Sequence, residues 1–299
     1  MLAVEFAPET TLRYRLVSER DITLELKSDD PQMKDKPQKM SEKLELVMAY
    51  KPIQVDPFGV TIIEGKCESA KVTRRTFTTA SSTPDATEKL AGRTYIIKLS
   101  PSGKITDYSG MTEVVREVGN LAFTGGNTGN QKIKDPDMIF DFIAMQWYLW
   151  DAVSTIEKPR EGVRKGKTWK TDQLIPLPVP LVAARTTSYT FDGVSETQEG
   201  RKAVITSSYE LTDEALDNWP SPYGREFTMR GMFGFLRNYQ FKSIQGSGRQ
   251  IFNIETGTVE KDVQQYKLIL NAGFLMPLGT SVPVLTIDQN MMAELLSGN

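Results

Sequence analysis

The sequence predicts a mainly β, α+β fold in which two similar antiparallel halves, built as a strongly curved sheet or as half-barrels, surround one long apolar helix. Three observations predict it. In the first copy of a hairpin pattern, Tyr95, Ile97 and Leu99 alternate with Thr94, Ile96 and Lys98, residues 100–103 form a Ser-Pro-Ser-Gly turn, and residues 104–106 resume the alternation. In the second copy, Gln250, Phe252 and Ile254 alternate with Ile251, Asn253 and Glu255, Thr256 and Gly257 turn, and residues 258–260 resume. Alternation of period two around a glycine turn marks paired strands with one buried face. Between the copies lies an apolar segment with helical signals.

The resulting division is a β half over residues 1–122, a linker with the central helix over 123–160, and a second β half over 161–299. Each half reads as hairpin, connector, hairpin, although aligning Leu99 with Ile254 leaves the Gly92-Arg93 and Gly248-Arg249 pairs one position out of register.

Taken in order, residues 10–26 alternate as a strand pair, with Leu12, Tyr14 and Leu16 followed by Ile22, Leu24 and Leu26. Residues 27–42 are charged and twice interrupted by proline, which favours an exposed loop. Residues 44–50 lead through the turn at 56–59 into the strand at 60–63, and a Ser/Thr-rich break at 80–88 precedes the first hairpin. The Gly/Asn-rich residues 123–130 read as a linker. Asp135 is a suitable N-cap with Pro136 at the first helical position, and the helix runs to about residue 156. On a helical wheel Asp137, Asp141, Ala144, Tyr148 and Asp151 form one narrow stripe, and apolar residues cover most of the rest.

Pro176, Pro178 and Pro180 suit an edge strand or an extended crossing segment. Residues 188–191 and 202–206 read as strands, 212–218 as a short helix, and 288–296 as a terminal helix with Met291, Met292, Leu295 and Leu296 on its apolar side.

Composition removes several chemistries. Thirty-six basic and 38 acidic residues leave no electrostatic footprint for nucleic acid. Histidine is absent, which excludes Ser-His-Asp and Cys-His catalysis. Cys67 is the single cysteine, so this chain alone builds no disulfide or thiolate metal site, and a small buried structural residue is expected there. Glu5 arrives before any apolar run forms, so no signal peptide or membrane-spanning segment is expected in this stretch.

Residues 162–168 have three residues between their glycines where a phosphate-binding loop needs four, and they read as a turn before Trp169. Gly246-Ser247-Gly248 lacks a third glycine and leads into a strand, so it reads as a turn or strand kink. Asp135, Asp137 and Asp141 suit a helix N-terminus better than a calcium ion. No cofactor and no metal are expected. Paired carboxylates need no histidine, and Asp213, Glu214 and Asp217 are the candidates for a carbohydrate hydrolase. Phe142, Trp147 and Trp150 are the candidate ligand-binding residues: they either line an apolar cavity or fill the core between helix and sheet.

Gly103-Lys104-Ile105 after an alternating strand, Gly166-Lys167-Thr168-Trp169, and Gly246-Ser247-Gly248 leading to residues 252–259 are similar to features of uncharacterised bacterial extracytoplasmic proteins, many of them secreted or lipid-anchored. That resemblance implies a cell-envelope setting in the periplasm or at the cell surface, and it brings no catalytic residues. At the level of fold, the chain also resembles lipoprotein-carrier-like proteins, in which a curved antiparallel sheet wraps a helix and holds an acyl chain. Three readings stand. The first is a non-enzymatic extracytoplasmic protein that binds a lipid or other apolar small molecule, or an envelope protein partner. The second is a structural or assembly subunit of an envelope complex, and the third is a histidine-free carbohydrate hydrolase.

Overall fold

The computed structural model describes residues 2–7, 10–27, 37–75, 85–124, 132–133, 137–156, 162–178, 181–198, 200–214, 219–223, 228–229, 232–274 and 282–297. Its first strands are β1 (Leu12–Lys27), β2 (Gln38–Val55), β3 (Thr61–Arg75), β4 (Thr94–Leu99) and β5 (Ile105–Asp107). Helix α1 (Ser109–Asn120), the two-residue strands β6 (Phe123–Thr124) and β7 (Lys132–Ile133), and helix α2 (Ile139–Ser154) follow. Then come β8 (Thr168–Leu174), β9 (Ala184–Thr197), β10 (Gly200–Thr212), β11 (Thr228–Met229) and α3 (Met232–Phe235). The chain closes with β12 (Leu236–Asn253), β13 (Thr258–Phe274) and β14 (Val282–Leu295).

Eleven strands form one antiparallel sheet in the order β5-β4-β3-β2-β1-β14-β13-β12-β10-β9-β8. This corrects the expected fold of two similar halves around a long helix. The sheet is continuous, because β1 pairs with β14 along fourteen positions from Tyr14–Leu295 to Lys27–Val282. The two look-alike hairpins also occupy unlike places, β4 and β5 at one edge and β12 and β13 inside the sheet. Their similarity is that of any hairpin with one buried face.

The long helix is corrected as well. Helix α2 has 16 residues, about 24 Å of rise, and its acidic stripe is buried, with Asp141 at 0% and Asp151 at 9% exposure. The expected cap at Asp135 and Pro136 lies outside the described residues.

Alternation places the core. Tyr14, Leu16, Ile22 and Leu24 of β1 are buried, and Leu44, Leu46, Met48 and Tyr50 of β2 continue the same face. The strand pair expected in residues 10–26 is one strand, because its apolar positions keep the same parity throughout and no turn residue intervenes. The helix expected at 288–296 is strand: β14 pairs on both sides, and that pairing outweighs the helix preference of Met, Ala, Glu and Leu. The opposite face carries ion pairs such as Arg13–Glu68 at 2.6 Å, Lys43–Glu19 at 2.7 Å and Lys267–Asp288 at 3.3 Å. It is a water face.

The sheet folds around α2. Strands β2 and β8 stand seven spacings apart in the strand order, which in a flat sheet would be roughly 34 Å. Yet one turn of α2 touches both: Trp150 packs edge-on against Tyr50 of β2 at 5.1 Å, and Trp169 of β8 donates its indole N–H to the Ala152 carbonyl at 3.0 Å. A helix with its side chains is only about 10–12 Å across, so the sheet has to curl, while its edges β5 and β8 stay unpaired with each other.

Candidate functional site

The three aromatic residues expected to share a cavity sit in different places. Phe142 is buried edge-on to Tyr95 of β4 at 6.0 Å. Trp150 is buried between Tyr50 and Phe6, the latter at 5.8 Å. Trp147 is half-buried on another side of α2, stacked on Trp219 at 4.6 Å and edge-on to Tyr108 at 5.4 Å. Around the helix Trp147 stands about 140° from Phe142 and about 60° from Trp150, and the three rings keep separate neighbours.

The polar groups under α2 were not anticipated. Arg20 of β1, Glu42 of β2 and Arg74 of β3 stand directly opposite one another in register and form a row across three strands. Arg20 donates to Glu42 at 2.6 Å and to Asp141 of α2 at 2.9 Å, and all three side chains are closed to solvent. Arg74 bridges Glu42 and Asp85, the latter at 2.8 Å. Ser18 donates to Asp141 at 2.7 Å and accepts from Gln289 of β14 at 2.6 Å. Burial disfavours the Glu42 carboxylate, but the Arg20 and Arg74 charges outweigh it and hold its pKa below the ordinary value.

Asp137, just before α2, accepts from the Tyr223 hydroxyl at 2.6 Å and from the Ile139 amide at 3.3 Å. Burial, reinforced by the charge of Asp85, pushes its pKa up to about 7. So Asp137 and Asp141 are engaged by protein donors, and Asp135 lies outside the described residues.

A second cluster surrounds Arg185 of β9. Its guanidinium lies over three tyrosine rings, 4.0 Å from the centroid of Tyr209, 4.7 Å from Tyr148 and 5.0 Å from Tyr266. It donates to Gln173 of β8 at 2.9 Å and to Gln264 of β13 at 2.5 Å. Each glutamine passes its own N–H to a carboxylate, Gln173 to Asp151 at 2.5 Å and Gln264 to Asp262 at 2.8 Å. Burial raises both carboxyls to about 6, opposed by those amide bonds. Gly248 of β12 makes room for the cage, since a Cβ there would stand 2.4 Å from Ser207 Oγ and 2.5 Å from the Tyr209 hydroxyl. The expected turn at 246–248 is therefore mid-strand.

Asp213 and Glu214 are exposed beyond β10, and Asp217 lies outside the described residues. Cys67 is buried at 1% exposure, and burial pushes its thiol up to about 12. Among the described residues no helix is long and apolar enough to cross a membrane.

No family model and no curated protein matches the chain. Among solved structures it is similar to one of lipovitellin, described by its lipid–protein interactions, at 12% identity and a TM-score of 0.47, over 98% of this chain and 26% of that one. This chain thus spans about a quarter of the lipovitellin chain's length. OpdQ of Pseudomonas aeruginosa aligns at 7% identity and a TM-score of 0.19, over 96% of this chain and 97% of that one. A BenF-like porin of Pseudomonas fluorescens Pf-5 gives 8% and 0.15, over 96% and 99%. None of the three reaches a TM-score of 0.5.

The buried arginines did leave a trace in the sequence. Arg20 falls on the even, inward positions of β1 together with Tyr14, Leu16, Ile22 and Leu24, and Arg185 shares the odd, inward positions of β9 with Tyr189 and Phe191. A charged residue in step with the buried face is the signal.

Proposed function

We propose that the chain is a non-catalytic binder of an apolar ligand, held between the folded sheet and helix α2, in an extracytoplasmic, cell-envelope setting. One observation carries the reading: both ends of the open sheet reach α2. Tyr95 of β4, the strand next to one edge, donates to Gln146 at 2.6 Å, and Gln173 of the other edge strand, β8, donates to Asp151 at 2.5 Å. The helix therefore stops the slot between two strands that do not pair. The buried cluster between sheet and helix is largely apolar, which suits an apolar ligand admitted by a shift of the helix. The half-buried stack of Trp147 on Trp219 lies on the outer side of that stopper.

The setting follows the resemblance carried by residues 103–105, 166–169 and 246–259. Native mass spectrometry of protein purified from its source, together with titration of the neutral probe N-phenylnaphthylamine, tests the binding reading. Co-purifying lipid and a saturable rise in probe fluorescence are expected. A ligand-free protein that leaves the probe dark overturns it.

A second reading, a subunit that docks an envelope protein, is favoured by the tip of the β2–β3 hairpin. There Phe58 is 83% exposed, Ile53 56% and Val55 46%, an apolar point on an otherwise charged face. Replacing Phe58 with Ser would leave probe binding intact and abolish capture of a partner if this reading holds.

A further inference from the structure

Four buried polar atoms that have no hydrogen-bond partner among the described residues occur on neighbouring side chains: Nη2 of Arg20, Oε1 of Gln289, the hydroxyl of Tyr266 and Nη1 of Arg185. The register makes them neighbours. Gln289 stands directly opposite Arg20 on one side and Tyr266 on the other, and the Arg185 guanidinium lies 5.0 Å from the centre of the Tyr266 ring. A single seam thus runs across β1, β14 and β13 to β9 beneath α2, with a guanidinium at each end.

Such a run of unsatisfied groups is unusual, because buried donors are almost always paired, charged ones most of all. Arg185 is the sharper case. It is fully buried, yet among the described residues no carboxylate bonds it directly, and Asp151 and Asp262 reach it only through Gln173 and Gln264. Three of the four atoms can donate, and the two guanidinium corners are what a planar oxyanion accepts from best. The next inward row of the same strands is wholly aliphatic: Leu268, Ile287 and Ile22 stand opposite one another, all at 0% exposure. Beyond it, Leu270, Leu285 and Leu24 repeat the pattern. A polar seam bordered by aliphatic rows matches a molecule with one anionic end and one hydrocarbon chain.

We propose that this seam receives the carboxylate head of a single-chain amphiphile at its Arg185 end, with Arg185 and Tyr266 donating to its oxygens and the chain lying along the adjoining aliphatic rows. This inference rests on the apolar-ligand reading above and names its ligand class. It assigns to Arg185 a binding role, whereas its tyrosine cage and glutamine arms orient it.

The test compares two probes on the intact protein, 11-(dansylamino)undecanoic acid and its methyl ester, followed by dansyl fluorescence. The acid is expected to bind about tenfold tighter than the ester, the effect of one charge-assisted contact set. In Arg185→Gln, and in Tyr266→Phe, which removes only a hydroxyl, that acid-to-ester ratio is expected to fall toward one. Circular dichroism checks each variant, and Tyr266→Phe decides the matter if Arg185→Gln does not fold. Equal binding of acid and ester by the natural chain overturns the seam, leaves Nη1 and Nη2 as merely hydrated groups, and lets the apolar-ligand reading stand. A ratio that persists in both variants overturns it too. If neither probe binds, both readings fall together.

Discussion

Arg20 and Asp141 form a 2.9 Å ion pair whose side chains are both wholly closed to solvent, and this pair ties the middle of the sheet to the first turn of α2. Arg20 also holds Glu42, so its removal strands two buried carboxylates of which only Glu42 keeps a second cation, Arg74. Breaking a buried pair from one side costs about 3–5 kcal/mol. Arg20→Met is therefore expected to lower unfolding free energy in urea by that amount, and a loss under about 1 kcal/mol would show that the pair contributes little.

Stability should rise as pH falls from about 8 to 5.5, the reverse of ordinary carboxylate behaviour. Asp137 is raised to about 7, and Asp151 and Asp262 to about 6, each chiefly by burial, against an unfolded value near about 3.9. A raised folded pKa means that the fold prefers the protonated acid. Its contribution is complete below about pH 4 and is lost as pH climbs through 6 and 7. Glu42 works oppositely, since its lowered pKa gives stability above the unfolded value of about 4.3 that is lost in more acidic solution. Thermal midpoints taken from pH 4 to 8 should peak between these limits, and Asp137→Asn should flatten the alkaline side. A curve rising steadily to pH 8 would contradict the burial of these three acids.

Gly248→Ala should destabilise by about 1–3 kcal/mol, the usual cost of an added methyl in filled space. The cause is crowding, since the new Cβ would lie 2.4 Å from Ser207 Oγ and 2.5 Å from the Tyr209 hydroxyl. Ser207→Ala should recover part of the loss in the double variant, and strict additivity of the two changes would argue against the contact.

How far the sequence reveals this molecule depends on the range of the interaction. Alternation in residues 94–106 and 250–260 identified strands correctly, because it reports a local geometry with one buried face. The pairing of β1 with β14 joins residues at opposite ends of the chain, and no local pattern encodes it. That pairing is also why residues 288–295, a good helix by propensity, are strand. Helix α1 went unread in the sequence, although Met111, Val115 and Val118, all at 0% exposure, keep helical spacing. Arg20 and Arg185 sit in step with the inward face of their strands, but only the partners brought by other strands and α2 make them core residues.

Cys67 should resist thiol reagents in the folded protein. It is 1% exposed, its S–H donates weakly to the Ser69 carbonyl at 3.3 Å, and burial pushes its pKa up to about 12, which leaves almost no thiolate near neutrality. Ellman's reagent should react with less than about one tenth of the thiol over minutes at pH 7.5, and fully in denaturant. Rapid labelling of the native protein would mean that the β3 region opens easily.

Gln146 is the clearest case of a polar residue fixed by two others. Its Oε1 accepts from the hydroxyls of both Tyr50 and Tyr95 at 2.6 Å, and its Nε2 donates to the Phe142 carbonyl at 3.2 Å, so one amide couples α2 to β2 and β4. Gln146→Leu keeps the volume but removes the acceptor that both buried hydroxyls share, leaving them only each other, at a cost of about 1–3 kcal/mol. Removing those hydroxyls as well, in Gln146→Leu with Tyr50→Phe and Tyr95→Phe, should restore most of the lost stability, because no unsatisfied group is left. Urea denaturation of the single and triple variants measures the coupling, and a triple variant weaker than the single one would show that the tyrosines find other partners.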